Sequence, residues 1–169
     1  ATGRFGQRVL MQGNLLVVGS PAVDEVTLYE NTGGTWNFVQ TLVGSDTEAG
    51  DWFGGSIAID GSTLVVGARF HSHEVPAGNL LFNNGAAYVF RQVLGVWSEE
   101  AKLTTQDSED LDWFGHSVAI DGETILVGVP FDDDVGLSSG SVFAFDRSGT
   151  TWSQSQKLNG SDSASVDFF

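Results

Sequence analysis

The fold is decided by a stretch that occurs twice, first as DWFGGSIAIDGSTLVVGA at residues 51–68 and again as DWFGHSVAIDGETILVGV at residues 112–129. In both copies an alternating apolar run leads to Asp-Gly, and a second apolar run then ends at Gly. Asp and Gly tolerate the positive φ of a two-residue type I′ turn, which joins antiparallel strands. Each copy therefore predicts a β-hairpin.

The same landmarks recur along the whole chain. Phe-Gly also opens a first copy at residues 5–6, and Phe168 begins a fourth, so the Phe residues are separated by 48, 61 and 54 positions. A third β-forming run then follows in each repeat, at Val26–Tyr29, Ala86–Phe90 and Ser141–Phe145. A fourth run covers Trp36–Leu42, Trp97–Leu103 and Trp152–Leu158. Its constant Trp-to-Leu offset of six predicts that both side chains lie on one face of the sheet.

Four strands repeated at this spacing favour an all-β chain of about three four-stranded antiparallel propeller blades. A β-sandwich is the competing architecture, but it does not require each module to reproduce the same landmarks. We treat residues 1–169 as one propeller segment. Its approximate repeats are 1–50, 51–111 and 112–166, with 167–169 starting a fourth.

Composition narrows the classes of partner. Twenty-two acidic against seven basic residues give a net charge of −15, which disfavours nucleic acid and anionic lipid. The sequence contains no cysteine, so a disulfide or a thiolate metal site is excluded. No apolar run approaches the roughly 18 residues that a membrane-spanning helix needs, and we expect no membrane insertion.

The segments Asp51–Gly61 and Asp112–Ser117, with the runs that follow them, resemble the FG-GAP repeat. That family includes integrin α-subunit propellers and bacterial surface proteins. Its Gly-Ala-Pro landmark is matched here by Gly19-Ser20-Pro21, Gly67-Ala68-Arg69 and Gly128-Val129-Pro130. The resemblance implies a propeller of about seven blades, outside the cell, that acts in adhesion or ligand binding.

Two features depart from the family pattern. Integrin repeats often insert a calcium loop between the two landmarks, whereas this chain has only the Asp-Gly turn, which cannot supply six to eight oxygen ligands. Three blades are also fewer than the four to eight that close a propeller. We therefore expect either the remaining blades of a longer chain or self-association of identical chains.

Ligand contacts are predicted in the loops that differ most between repeats, because loops on a rigid scaffold usually carry function. These loops are Arg69 to Gly85 and Phe131 to Gly140. The best metal candidate is the acidic cluster of Asp132, Asp133 and Asp134, which resembles part of a calcium loop. Calcium is the cofactor expected if one is bound, and the alternative is a solvated acidic loop.

Other residues are assigned structural roles. The pairs Asp46/Asp51, Asp107/Asp112 and Asp162/Asp167 recur before every later Phe-Gly, so we expect each Asp to cap its own turn. His71 and His73, with Glu74, are interpreted as a surface loop in preference to a zinc site. His116 varies between repeats and receives no role. The Gly136-to-Gly140 match to Gly-x-Ser-x-Gly is attributed to chance, because no His follows Ser138.

The tryptophans divide into two recurring sets. Trp36, Trp97 and Trp152 recur on the last strand, while Trp52 and Trp113 precede Phe-Gly. Such rings could stack on sugars, but regular recurrence favours packing between blades.

The sequence thus predicts a noncatalytic, extracellular or cell-surface scaffold that binds a protein or glycan partner through its blade loops. One alternative is a structural subunit of a surface assembly or filament, joined through open blade edges. Another is the noncatalytic propeller portion of a larger secreted enzyme. Because a fold does not fix a function, these three hypotheses all remain open at this point.

Overall fold

The computed structural model describes residues 4–74, 80–107, 109–134 and 138–160. These residues form three four-stranded sheets and one small hairpin. The first sheet contains β1 (Arg8–Gln12), β2 (Leu15–Ser20), β3 (Glu25–Thr32) and β4 (Thr35–Leu42). The second contains β5 (Phe53–Asp60), β6 (Thr63–Ala68), β9 (Ala86–Val93) and β10 (Val96–Leu103), and the hairpin of β7 (His73–Glu74) and β8 (Leu80–Leu81) lies between β6 and β9. The third contains β11 (Ser117–Asp121), β12 (Thr124–Val129), β13 (Ser141–Ser148) and β14 (Thr151–Asn159).

Each four-stranded sheet is an antiparallel meander. The predicted hairpins are formed, but not with Asp-Gly as the two turn residues. Asp60 and Asp121 end the first strands and pair with Thr63 and Thr124, so the turns are Gly61-Ser62 and Gly122-Glu123, in which only the glycines have positive φ, of 55° and 57°. The prediction of an all-β fold with about three four-stranded antiparallel modules is therefore confirmed.

The three sheets stack face to face, with the second sheet in the middle. Leu64 and Val66 of β6 pack in one hydrophobic cluster with Val17 of the first sheet. Val65, between them in sequence, packs in the other cluster with Ile125 of the third sheet. Because successive strand residues point to opposite faces, β6 is buried along its whole length. The first strands β1, β5 and β11 lie side by side, as the inner strands of neighbouring propeller blades do.

Glycines allow this close approach of neighbouring sheets. A β-carbon on Gly19 would lie 2.3 Å from the carbonyl oxygen of Gly54, and one on Gly67 would lie 2.0 Å from that of Gly115. The Phe-Gly of one repeat thus packs directly against the glycine that opens the Gly-Ala-Pro landmark of the preceding repeat. This contact couples the two landmarks across each junction between sheets.

One prediction about the last strand is wrong. Trp97 packs toward the first sheet, whereas Leu103 packs toward the third. The register of β10 shifts between Glu99 and Ala101, and an inserted residue of this kind reverses the facing of everything beyond it. Equivalent shifts occur where β3 pairs β4 and where β13 pairs β14, so the even Trp-to-Leu offset does not keep the two ends on one face.

The two ends of the sheets differ in character. Tight turns at residues 13–14, 33–34, 61–62, 94–95, 122–123 and 149–150 form what we call the hairpin end. Among the described residues, the connections at residues 21–24, 43–52, 69–74, 80–85, 104–107, 109–116, 130–134 and 138–140 form the opposite end, which we call the long-loop end. An up-and-down meander places every second connection at the same end, so the described parts of both loops predicted to contact ligand lie at the long-loop end.

Candidate functional site

The long-loop end holds a buried histidine at the junction of the first and second sheets. His71 is 4% exposed, and its Nδ1 lies 2.6 Å from Oδ2 of Asp51. That carboxylate also accepts the backbone N–H of Glu48 at 2.8 Å. Nε2 of His71 lies 2.8 Å from the Lys102 ammonium, which can only donate. Nδ1 therefore carries the proton, and both ring nitrogens are engaged.

An ion pair closes the same junction. Lys102 on β10 donates to Asp46 at 2.7 Å, and the Tyr88 hydroxyl donates to the same carboxylate at 2.7 Å. Burial opposes ionisation of Asp46, but these hydrogen bonds outweigh it and hold its pKa below the usual range. The pair ties the loop that follows the first sheet to the last strand of the second.

A cavity of about 560 Å³ opens beside this cluster. It is lined by Asp46, Glu48, Ala49, Asp51, His71, Ser72, His73 and Phe82. Burial, followed by the charge of Lys102, lowers the pKa of His73 to about 4, so that imidazole is neutral at physiological pH. The lining of the cavity thus combines carboxylates with the Phe82 ring, which is 60% exposed.

A second cluster occupies the equivalent place between the second and third sheets. Asp132 corresponds to His71, because each donates its backbone N–H to the last residue of the preceding strand. Its carboxylate is 2% exposed, accepts the Ser141 hydroxyl at 2.8 Å and lies 2.8 Å from Lys157 Nζ. Lys157 also donates to Asp107 at 2.7 Å and to Asp134. Burial opposes the charge of Lys157, but these carboxylates outweigh it and raise its pKa.

The predicted metal candidates are therefore distributed between two environments. Asp132 and Asp134 contact the Lys157 ammonium, while Asp133 lines a separate cavity. Among the described residues, no group of three or more His, Asp or Glu side chains is placed to hold a metal ion. Calcium binding by Asp132, Asp133 and Asp134 stays a prediction.

That separate cavity has a volume of about 330 Å³ and lies at the long-loop end of the third sheet. It is lined by Asp110, Leu111, Trp113, Phe131, Asp133 and Ser138. Nearby Asp112 is 4% exposed and accepts the Glu109 N–H at 2.6 Å. Burial, supplemented by the negative charges of Asp132, Glu109 and Asp133, raises the pKa of Asp112 to about 7.

A row of aromatic rings lines the inner side of the long-loop end. The ring centroids of Trp52 and Phe70 are 5.6 Å apart, those of Phe70 and Trp113 are 5.1 Å apart, and those of Trp113 and Phe131 are 4.4 Å apart. The Arg69 guanidinium lies within 5.5 Å of three of these centroids. Sequence reasoning missed this row, although Phe70 and Phe131 each stand three residues after a landmark glycine.

Two structural roles predicted from sequence need correction. His71 was expected in a surface loop, but the Asp51 and Lys102 contacts bury it. Asp51 and Asp112 cap their own turns as predicted. Asp46 and Asp107 were expected to do the same and instead pair with lysines on the next sheet.

The remaining predictions fall partly inside the described residues. Trp97 and Trp152 are buried between sheets as predicted, whereas Trp36 is 39% exposed. His116 is exposed and stacks on Trp113. Asp162, Asp167 and Phe168 lie outside the described residues, as do Gly136 and Leu137 of the Gly-x-Ser-x-Gly match.

Comparison with known families gives one match. The FG-GAP repeat model matches residues 36–90 and 97–145, which together make up more than half of the chain. Each match starts on the last strand of one sheet and ends on the third strand of the next. A search of curated proteins finds no match. In the part of the chain that the structure describes, no helix is long and apolar enough to cross a membrane.

Proposed function

The chain belongs to the FG-GAP repeat family, and on this basis we propose that it is a noncatalytic scaffold, outside the cell, that binds a protein or glycan partner through its long-loop end. FG-GAP repeats form propellers, which suit adhesion and ligand binding because a rigid stack of sheets holds variable loops in fixed positions.

The observation that carries this proposal is a ridge between the two cavities of the long-loop end. Leu111 donates its backbone N–H to the Phe82 carbonyl at 2.9 Å, and Phe82 donates its own to Asp110 at 2.8 Å. Phe82 lines the first cavity and Leu111 lines the second, and their side chains are 60% and 54% exposed. An exposed apolar ridge between two acidic depressions is a surface that a partner can cover.

The lining defines the chemistry of the partner. The exposed residues Asp46 and Glu48 at the first cavity, with Asp110 and Asp133 at the second, favour a partner that brings positive charge or hydroxyl donors. The exposed Phe82 ring suits stacking on a sugar or on an apolar side chain. A basic protein segment and a glycan both meet these requirements.

The engagement of His71 and Asp132 supports a noncatalytic role. His71 has no ring nitrogen left for substrate, because Asp51 and Lys102 hold both. Asp132 is held in the same way by Ser141 and Lys157. These groups stabilise the junctions between sheets, and the loops around them are available to contact a partner.

A binding screen tests the proposal. The 169-residue chain is immobilised and probed with a glycan array and with an array of basic peptides, and each hit is measured again with the double variant Phe82→Ala/Leu111→Ala. We expect this variant to lose about tenfold or more in affinity, because truncated apolar anchors at an interface typically cost 2 kcal/mol or more.

The matched control is Leu94→Ala, since Leu94 is 99% exposed but lies at the hairpin end. Its affinity for the same probes is expected to equal that of the unmodified chain. Hits that survive the double variant and are lost with Leu94→Ala would place binding at the wrong end and overturn the proposal.

A further inference from the structure

The last strands of the three sheets can be compared position by position. A Trp stands near the start of each, at residues 36, 97 and 152, and an Asp follows at the same distance, at residues 46, 107 and 162. Residue 40 of the first repeat therefore corresponds to residue 101 of the second, residue 45 to residue 106, and residue 99 to residue 154 of the third. We call the contact of the first and second sheets the first junction, and that of the second and third sheets the second junction.

Hydrogen bonds between side chains and backbone link the last strands at the first junction. The Gln40 carboxamide accepts the Trp97 N–H at 3.1 Å and donates to the Trp97 carbonyl at 2.8 Å. Beside it, the Glu99 carboxylate accepts the backbone N–H and the hydroxyl of Ser45, each at 2.8 Å. These bonds join β4 and the loop that follows it to β10.

The second junction has other residues at each of these positions. Ala101 stands in place of Gln40, and it packs against the hydrophobic cluster that the second and third sheets share. Gln106 and Gln154 stand where the first junction has its serine and its glutamate. Within the described residues, neither of these two glutamine side chains makes a hydrogen bond.

A cavity of about 550 Å³ lies at this place in the second junction. We call it the outer-edge cavity, because the last strands lie at the edge of each sheet opposite to β1, β5 and β11. Its charged residues, Lys102 and Asp107, form ion pairs with Asp46 and Lys157. Its volume is within the range of roughly 300–1,000 Å³ that is usual for ligand pockets. The uncharged polar residues of the lining are Thr104, Thr105, Gln106, Ser153 and Gln154.

Trp152, which also lines the outer-edge cavity, has an unpaired backbone donor and acceptor. Ser148 and Thr151 pair across a two-residue turn, and hydrogen-bonded pairs alternate with non-hydrogen-bonded pairs along an antiparallel ladder. The next pair, Arg147 with Trp152, is therefore non-hydrogen-bonded, and the N–H and C=O of Trp152 point away from β13. No hydrogen bond to either group is formed within the described residues.

The first junction shows which chemical group fits such a backbone. Gln40 bridges the N–H and C=O of Trp97 with one carboxamide, because its donor and its acceptor are bonded to the same carbon. A carboxylate only accepts, and an ammonium or a guanidinium only donates, so none of them bridges the pair. The acetamido group of a sugar is a secondary amide, whose trans geometry turns N–H and C=O in opposite directions. The matching group is the primary carboxamide of Asn or Gln.

We propose that the outer-edge cavity binds a segment of a partner protein that inserts an Asn or Gln side chain. The carboxamide bonds to the N–H and C=O of Trp152, in the place that Ala101 leaves open. Thr104, Ser153 and Gln154 supply hydroxyl and amide groups to the polar groups of the segment around it. Because the polar lining that has no ion pair is uncharged, the segment is uncharged, unlike a partner of the acidic cavities at the long-loop end.

Peptide binding tests the proposal. The 169-residue chain is probed with uncharged peptides of Ser, Thr and Gly that carry a central Gln or Asn, and with matched peptides that carry Glu or Ala at that position. We expect the Gln or Asn peptides to bind about tenfold or more tightly, because the matched peptides lose two hydrogen bonds. Equal binding of all four kinds of peptide, or no binding of any, would overturn the proposal.

A substitution that supplies the carboxamide from within the chain locates the site. Ala101→Gln introduces a side chain that can bridge the Trp152 backbone as Gln40 bridges Trp97, and that excludes the peptide. We expect about tenfold or more weaker binding of the Gln peptide and a higher midpoint of urea unfolding, because two hydrogen bonds are gained. Ser98→Gln, at an exposed position of β10 outside the cavity, is the matched control and is expected to change neither quantity.

Two further measurements distinguish this site from the long-loop end and from a sugar site. Phe82→Ala/Leu111→Ala is expected to leave the affinity for the Gln peptide unchanged, and chitotriose, an N-acetylated sugar, is expected not to displace the peptide. Circular dichroism checks that each variant is folded. Loss of the peptide in the double variant, its displacement by chitotriose, or undiminished binding to folded Ala101→Gln would each overturn the proposal.

Discussion

At the scale of single residues, the junction between sheets depends on glycines that receive a carbonyl from the next repeat. Sequence alone identifies Gly67 and Gly128 as equivalent landmarks, because both end the same apolar run. It does not reveal that only Gly67 is packed against another repeat, with the Gly115 oxygen 2.0 Å from where a β-carbon would lie. That contact joins residues 48 positions apart and depends on how sheets stack.

This asymmetry predicts different costs for the same substitution. Gly67→Ala is expected to lower the free energy of unfolding by about 2–3 kcal/mol, because the carbonyl that it meets belongs to a fixed backbone. At Gly128 a β-carbon meets the side chain of Ser117, which can rotate away, so Gly128→Ala should cost about 1 kcal/mol or less. Urea unfolding measures both, and equal costs would contradict the assigned junction.

The buried polar residues show a second limit of sequence reasoning. His71 and Asp132 occupy equivalent positions, yet their types differ and neither neighbourhood carries a recognisable motif. Their burial depends on Lys102 and Lys157, which lie 31 and 25 positions further along the chain. The sequence predicted which loops contain the two residues, but it did not predict that each would contact a lysine.

At the scale of elements, the strands were predictable because their turn chemistry is local. Asp60-Gly61 and Asp121-Gly122 specify hairpins whatever surrounds them. The register shift in the last strand was not predictable, because nothing in the sequence marks Glu100 as the inserted residue. The shift determines which face of the sheet Leu42 and Leu103 occupy. It therefore determines which side chains each sheet packs against the neighbouring sheet.

The loop before β11 carries the clearest pH dependence. Asp112 has an ordinary pKa of 3.8 when unfolded and about 7 when folded, so the folded chain binds more protons between these values. Its ionisation therefore lowers the free energy of unfolding as pH rises from about 4 to about 7, by at most about 1.4 kcal/mol per pH unit. The lowered pKa of His73 makes the free energy of unfolding rise with pH over part of the same range. The contribution of Asp112 is therefore isolated by comparing a variant at that position with the unmodified chain.

Asp112→Asn removes the titrating group and keeps an oxygen that can accept the Glu109 N–H. We expect the stability of this variant, relative to the unmodified chain, to rise with pH through that window in urea unfolding. Asp107→Asn is the control expected to stay flat across this window, because the hydrogen bond from Lys157 lowers the pKa of Asp107 below 3.8 and its contribution to stability is lost only at lower pH. A difference that is flat between pH 4 and pH 7 for Asp112→Asn would rule out the raised pKa.

At the scale of the whole molecule, the middle sheet holds the other two. The first and second sheets share one hydrophobic cluster, and the second and third share another. The repeats predicted the number of sheets and their order. They could not predict that the end faces would be left exposed, because burial of Trp36 or Leu158 depends on what lies against them.

Shared cores couple the stabilities of neighbouring repeats, since each sheet buries its apolar face only against the next. Trp97 lies at the first junction and Trp152 at the second, so tryptophan fluorescence reports on both, while far-UV circular dichroism reports on all strands. Loss of the middle sheet would expose both clusters together.

The central claim is that the three blades pack into one cooperative unit. Its most direct test is guanidinium unfolding followed by tryptophan fluorescence and by far-UV circular dichroism on the same sample. Blades joined through the Phe-Gly contacts predict a single cooperative transition with coincident midpoints. They also predict that Phe53→Ala, in the core of the middle sheet, lowers both midpoints equally. Separate transitions, or a Phe53→Ala effect confined to one signal, would contradict a single body built from stacked blades.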